Sequence, residues 1–307
     1  MNHNPILSLC IPTNGIAKWV LPLVESIYEQ GVDNNLFEVV VTNNGEDNGL
    51  SNSLNNFNQP NLHYYKTSAI GFTNQIESFK KASGLFCKML NHRSILLNGS
   101  IENLISIITR YKKTQPIIYC AERFSKGEKN YAPMIECENI NSFIANLGCL
   151  VSWSAGVGIW KEDITKLDNC KINPLFPHMA LLLEIREDSQ YVIWDVKYEK
   201  QSKEEGKGGY NPFFAFGVEF LDIINFLRIE SKITEKTFVK LKESIYIRLK
   251  YFYLEDVLLN LSHNHYDMTN IKEHMMVYYD KFTYYKMVFL SWIEYPKYKL
   301  VHFFDKK

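Results

Sequence analysis

The polar residues that break the sequence pattern most sharply are Asn91, His92, Arg93 and Ser94, a tetrad inside the apolar stretch Leu85 to Leu97 (LFCKMLNHRSILL). An amide, an imidazole, a guanidinium and a hydroxyl can hydrogen-bond a polar ligand. The guanidinium also keeps its charge and grips phosphate oxygens through two N–H groups at once. In open α/β sheets ligands sit just beyond the carboxyl ends of strands, so a polar tetrad ending a buried run reads as the floor of a site. A surface turn would use the same residue types.

Holding such a tetrad in place takes a sheet whose strands end together, and the preceding chain supplies one. Ile6 to Ile11 is a short apolar run closed by Pro12, Thr13, Asn14 and Gly15, the pattern of a buried parallel strand entering a loop. Pro22 then fits the first turn of a helix carrying Leu23, Val24, Ile27 and Tyr28 and ending at Gly31. Phe37 to Val41 is the next buried strand, breaking at Thr42-Asn43-Asn44-Gly45-Glu46-Asp47-Asn48-Gly49. The chain thus opens β-α-β, with both polar, glycine-bearing loops on one edge of the sheet. His63 to Lys66 reads as a third strand, and Phe72, Ile76, Phe79 and Ala82 as the apolar face of a helix stopped at Gly84. Past the tetrad, Ser100 is placed to cap a helix bearing Ile101, Leu104, Ile105, Ile108 and Tyr111, and Pro116 ends it before the strand Ile117 to Cys120.

At 307 residues, 46% of them hydrophobic, the chain can bury a sizeable core. Acidic and basic residues balance at 34 each, which leaves no global field to draw in nucleic acid or an anionic membrane. No nucleic-acid partner is expected, and any basic surface must be local. Cys10, Cys87, Cys120, Cys137, Cys149 and Cys170 form no Cys-x-x-Cys pair and no metal-type spacing with histidine, so they read as reduced, packed thiols. Neither a signal-peptide pattern nor a run of roughly eighteen apolar residues occurs, and a cytoplasmic protein is expected.

The series SLCIPTNG, VVVTNNGEDN and GFTNQIESFKKASG, followed at once by an apolar strand, resembles the nucleotide-sugar half of family 2 glycosyltransferases with a GT-A fold. Pro12, Thr13 and Asn14 match the family's first loop, Asn43, Asn44 and Gly45 its second, and Ala82 with Gly84 its Ala-x-Gly. The stretches LGCLVSWSAGVGIWKED and FPHMALLLEIREDSQYVIWDVKYE are similar, more loosely, to the acceptor half, in the manner of the abequosyltransferase-like branch. The resemblance implies an α/β chain: a Rossmann-like, mainly parallel sheet flanked by helices over residues 1–216, with a nucleotide-sugar half (1–120) and an acceptor half (121–216). A helical C-terminal region would follow over 217–307.

Two departures from the family carry the chemistry. Its Asp-x-Asp, which holds a divalent metal on the diphosphate, falls at Asn91 to Ser94 here; magnesium or manganese wants anionic oxygens, so no metal cofactor is expected. A departing diphosphate still develops negative charge, and Arg93 is suited to steady it, with His92 and Lys66 as weaker candidates. The family's general base maps onto His178, after Pro177 and before the apolar helix Met179, Leu182, Leu183 and Ile185. An unperturbed imidazole accepts a proton well at neutral pH, whereas a helix-start histidine with no chemistry is the plainer reading. Glu162-Asp163 ranks second for this role, and Asp188 and Asp195 third, as turn and strand-surface residues in the alternating strand Val192, Trp194, Val196, Tyr198. Trp153, Ser154 and Gly156 suit acceptor binding, the indole stacking on a sugar and the glycine admitting close approach, or a packed strand. Asn43 and Asn44 can meet a base or ribose, or simply build an Asn-Asn-Gly turn.

Lys200 to Gly209 is polar and glycine-rich, the composition of a loop. From Tyr278 the chain is crowded with Tyr, Phe, Trp and Lys, which suits a membrane interface, docking on the catalytic domain, or a second subunit; protein docking is the favoured reading. The expectation is an inverting transferase moving a sugar from a nucleoside diphosphate to a hydroxyl of a bacterial surface glycan or lipid-linked glycan, in the cytoplasm or peripherally at the inner membrane face. The rival is a catalytically silent GT-A domain that binds nucleotide or glycan as a scaffold.

Overall fold

Runs of branched and aromatic side chains build the first two strands, β1 (Leu7–Thr13) and β2 (Phe37–Asn43), in which every residue but Pro12 is buried. They pair in parallel, Leu9 opposite Val39 and Thr13 opposite Asn43. Burial on both faces is what a parallel sheet between helical layers demands. The computed structural model describes residues 4–121, 133–186, 189–201, 206–260 and 264–305. Its contacts divide the chain into two compact units, 1–143 with 150–202, and 144–149 with 203–307.

In the first unit β1 and β2 are joined by α1 (Ala17–Tyr28), which buries Val20, Leu23, Val24 and Ile27. Pro22 lies inside this helix, a turn later than expected; the N–H it lacks would have served the carbonyl of exposed Lys18, where solvent can substitute. There follow α2 (Leu50–Asn55), β3 (Leu62–Lys66), α3 (Asn74–Lys81), β4 (Phe86–Met89), β5 (Ser94–Leu96), α4 (Ser100–Tyr111), β6 (Ile117–Ala121), β7 (Met134–Cys137) and α5 (Ile140–Leu147). Beyond them come β8 (Val157–Trp160), α6 (Lys161–Ile164), α7 (His178–Leu183), β9 (Tyr191–Asp195) and β10 (Glu199–Gln201). Eight strands form one sheet in the order β3-β2-β1-β4-β8-β6-β9-β7. All run the same way except β8 and β7, which are antiparallel to their neighbours.

Three local readings change. Phe72 is 40% exposed in a short turn, Gly71–Thr73, and α3 begins at buried Asn74, whose amide donates to the carbonyls of Thr13 and Thr42. Gly99, at φ 79°, occupies the N-cap of α4, while Ser100 Oγ donates to the Tyr198 carbonyl at 2.6 Å. All five residues of β9 are buried because it lies between β6 and β7 with helices over the sheet, so it does not alternate. Lys200 and Gln201, expected in a loop, belong to β10, which pairs with β5; residues 202–205 lie outside the described residues.

The second unit is helical, as expected of the C-terminal region. It contains β11 (Lys207–Gly208), α8 (Pro212–Phe214), α9 (Phe220–Ile229), α10 (Glu235–Phe252), β12 (Asn264–His265), α11 (Ile271–Met275) and α12 (Lys281–Asp305). Thr234 caps α10 by accepting from the Thr237 N–H. Leu221, Ile224, Leu241, Ile245, Leu249, Met275 and Met287 are buried in this unit. Among the described residues no helix is long and apolar enough to cross a membrane.

Candidate functional site

The loops after β1, β2 and β4 leave the sheet at one edge, and the first two are locked to each other by backbone contacts. A Cβ on Gly15 would lie 1.8 Å from the Glu46 carbonyl oxygen, and one on Gly45 would lie 1.9 Å from that of Asn14. These glycines let the first and second loops touch, and the Asn44 N–H donates to the Thr13 carbonyl at 3.1 Å. Asn43 is fully buried: its Oδ1 accepts from the Gly45 N–H at 2.8 Å and its Nδ2 donates to the Tyr64 hydroxyl at 3.0 Å. Asn44 Nδ2 donates to the carbonyls of Ala69 and Gly71, and Lys66 Nζ to that of Gly45. Both asparagine amides therefore shape the rim. Of the first loop, Pro12 is half-buried, Thr13 buried and Asn14 exposed.

The tetrad follows β4 at the same edge. The Asn91 side-chain oxygen accepts from the Arg93 N–H at 3.0 Å, a turn that presents Arg93. His92 Nδ1 lies 2.9 Å from Thr13 Oγ1, joining the first loop to the third. The Arg93 guanidinium carbon sits 3.5 Å from the centroid of the Trp19 ring, which also lies 5.2 Å from the His92 ring. A guanidinium stacked flat on an indole keeps its N–H groups at its rim, in the plane suited to phosphate oxygens. Burial, with Arg93 beside it, pushes the His92 pKa down to about 3. His92 is thus neutral at pH 7 and does not share the cationic task expected of it. Trp19 had no role in the sequence reading; an aromatic in the first turn of the helix after a candidate loop was the available signal. The tetrad contributes no carboxylate, its one amide oxygen is engaged, and among the described residues no cluster of three His, Cys, Asp or Glu side chains occurs. An engaged amide oxygen and a hydroxyl, with no anionic oxygen beside them, are weak ligands for a hard divalent cation.

Beneath the tetrad lies a lysine that the apolar pattern concealed. Lys88 is fully buried in β4, and its Nζ donates to the carbonyls of Met89 (2.7 Å) and Ala155 and lies 5.1 Å over the Tyr198 ring. Burial lowers its pKa, and Glu199 nearby favours the charge. This ammonium ties the end of β4 to the Trp153–Gly156 turn. Trp153 packs partly buried against the core, and Ser154 is half-buried. The space beside Gly156 is filled by the Tyr119 ring, 2.2 Å from where a Cβ would be. Tyr119 donates its hydroxyl to the carbonyls of Leu150 and Trp153. Close packing of Tyr119, rather than approach of a ligand, accounts for the small residue there.

His178 opens α7 and is 2% exposed, with the carbonyls of Val151 and Ser152 as its polar neighbours. Burial lowers its pKa to about 4, so the unperturbed basicity assumed from sequence does not hold. The pairing of Phe86 with Trp160 puts Glu162-Asp163 at the opposite edge of the sheet. There Asp163 receives Arg186 Nε at 2.9 Å, Arg186 Nη2 at 2.5 Å and Lys166 Nζ at 2.9 Å, a structural ion cluster. Asp195, expected on a strand surface, is fully buried at the end of β9. Asp188 lies outside the described residues.

This mainly parallel sheet flanked by helices superposes on solved glycosyltransferases. S. aureus TarS 1-349 in complex with UDP-GlcNAc superposes with a TM-score of 0.55 at 15% identity, over 83% of this chain and 77% of that one. The same TarS fragment in complex with UDP gives 0.55 at 15% identity, over 83% and 76%. A longer S. aureus TarS structure gives 0.50 at 16% identity, over 81% and 43%. The fold is GT-A. At this identity the likeness establishes the GT-A architecture and leaves the chemistry to the side chains. No protein-family model and no curated protein matches the chain.

Proposed function

We propose that the first unit is a family 2-like, inverting glycosyltransferase domain, near the abequosyltransferase-like branch, acting on a nucleoside diphosphate sugar. The acceptor hydroxyl, on a surface glycan or lipid-linked glycan, attacks the anomeric carbon as its bond to the diphosphate oxygen breaks, and the diphosphate leaves with the bonding electrons. The observation that carries this reading is the stacked Arg93 at the loop edge, where the family's metal-binding carboxylates would stand. It supports a leaving group steadied by a fixed cation instead of a bound ion. The TarS complex with UDP-GlcNAc supports the donor class. The proton would pass to His178, the base that the family pattern assigns.

Calorimetric titration of UDP, GDP and their sugars, with EDTA or manganese, tests the proposal. At least one nucleotide should bind with an affinity that EDTA leaves within about twofold, and Arg93→Ala should weaken it by about tenfold or more. Binding abolished by EDTA and restored by manganese, or unchanged in Arg93→Ala, would overturn it.

The enclosure of His178 favours a second reading, a GT-A domain that binds nucleotide or glycan without turnover. Nucleotide binding without sugar transfer or donor hydrolysis would select it.

A further inference from the structure

Most surface helices turn apolar residues inward and polar ones outward. α12 is apolar on both sides. Its inner side carries buried Met287 and Ser291, and its one acidic residue between Lys281 and Leu300, Glu294, is held by Lys250 Nζ at 2.7 Å. Its outer side exposes Phe282 (76%), Tyr285, Phe289 (64%), Trp292, Ile293 and Leu300. At 100° per residue these six fall within an arc of about 100° opposite Met287. Lys281 and Lys299 flank that arc on one side, Lys286 and Lys297 on the other, and all four are exposed. The outer face therefore holds an apolar stripe between two rows of positive charge, with no negative charge over that span.

We propose that this face of α12 lies on an anionic membrane surface, rings at headgroup depth and lysines reaching the lipid phosphates. This goes beyond the donor chemistry and does not depend on it. Charge decides the occupant. In a two-fold contact with a second copy the lysine rows would confront lysine rows, whereas an anionic surface complements both. Pro296 sets the depth: it denies the Trp292 carbonyl its helical N–H donor on the outward side, so that carbonyl needs the hydrated interface rather than hydrocarbon. Aromatic and aliphatic residues between lysines are the composition of helices that lie in that layer.

Flotation of the full chain with vesicles of phosphatidylcholine containing 30% phosphatidylglycerol (roughly physiological anionic content), against pure phosphatidylcholine, reads the proposal. Partitioning should be about tenfold or more stronger on anionic vesicles and should fall with added salt. Phe289→Glu with Trp292→Glu should abolish it. Lys286→Glu with Lys297→Glu, both exposed and on the helix surface, should lower it by about tenfold with the circular dichroism spectrum unchanged. Equal partitioning on both vesicle types, or wild-type binding by either double variant, would overturn the proposal. So would a concentration-dependent dimer in light scattering that only the Phe289/Trp292 variant loses, since that would assign the face to a second copy.

Discussion

A histidine's task is set by its surroundings more than by its type, and His178 is a case in point. Its pKa in the fold, about 4, lies below the ordinary value, so between these limits the unfolded chain binds the extra proton. Stability from this residue is therefore complete above about pH 6.5 and is lost as the pH falls through 4, a contribution of about 3 kcal/mol. His92, with its pKa near 3, adds in the same direction. Urea midpoints from pH 7 to 4.5 should fall steeply in the wild type and less in His178→Leu, which fills the site without titrating. An unchanged slope in the variant would show that the ring is solvated. Sugar transfer retained by His178→Ala would remove it from the reaction altogether.

Loops after parallel strands act as units, and here two of them interlock. Gly45 has no room for a side chain against the Asn14 backbone, whereas Gly31, at φ 65°, has nothing within 4 Å of its would-be Cβ. Gly31→Ala should cost about 1 kcal/mol, the strain of a left-handed residue. Gly45→Ala should cost about 2 kcal/mol or more, because the loops must part. It should also weaken nucleotide binding, as Thr13 and Asn44 shift together; thermal unfolding with and without UDP measures both. Equal losses in the two variants would mean that the loops are not packed as described. The same logic explains Lys88, which holds the Trp153–Gly156 turn by donating to its Ala155 carbonyl.

Charges balance across the whole chain, 34 against 34, so steering must come from local arrangement. The two compact units carry different chemistries, a loop edge bearing a stacked guanidinium in one and a lysine-flanked apolar helix in the other. Hydrogen exchange should separate them. Saturating UDP should slow exchange at the loops around Gly15, Gly45 and Arg93 and leave α12 unchanged, while anionic vesicles should do the reverse. At a hundred times its Kd the nucleotide stabilises the fold it binds by about 2.7 kcal/mol. Protection of α12 by UDP alone would contradict this division.

The amino-acid order alone fixed the succession of elements from β1 to β6 apart from α2, the two glycine loops, the polar tetrad after β4 and the absence of carboxylates within it. All of these are written in short apolar runs, turn residues and spacing, which act through the local backbone. Only the tertiary structure decided which polar groups face outward: that Asn43 is spent on its own loop, that Tyr119 fills the space beside Gly156, that Asp163 serves Arg186 at the far edge, and that Trp19 carries Arg93. These outcomes depend on partners distant along the chain and on desolvation. Neither leaves a trace in the pattern around a single residue, and so Lys88 could pass for part of an apolar run and His178 for an ordinary base.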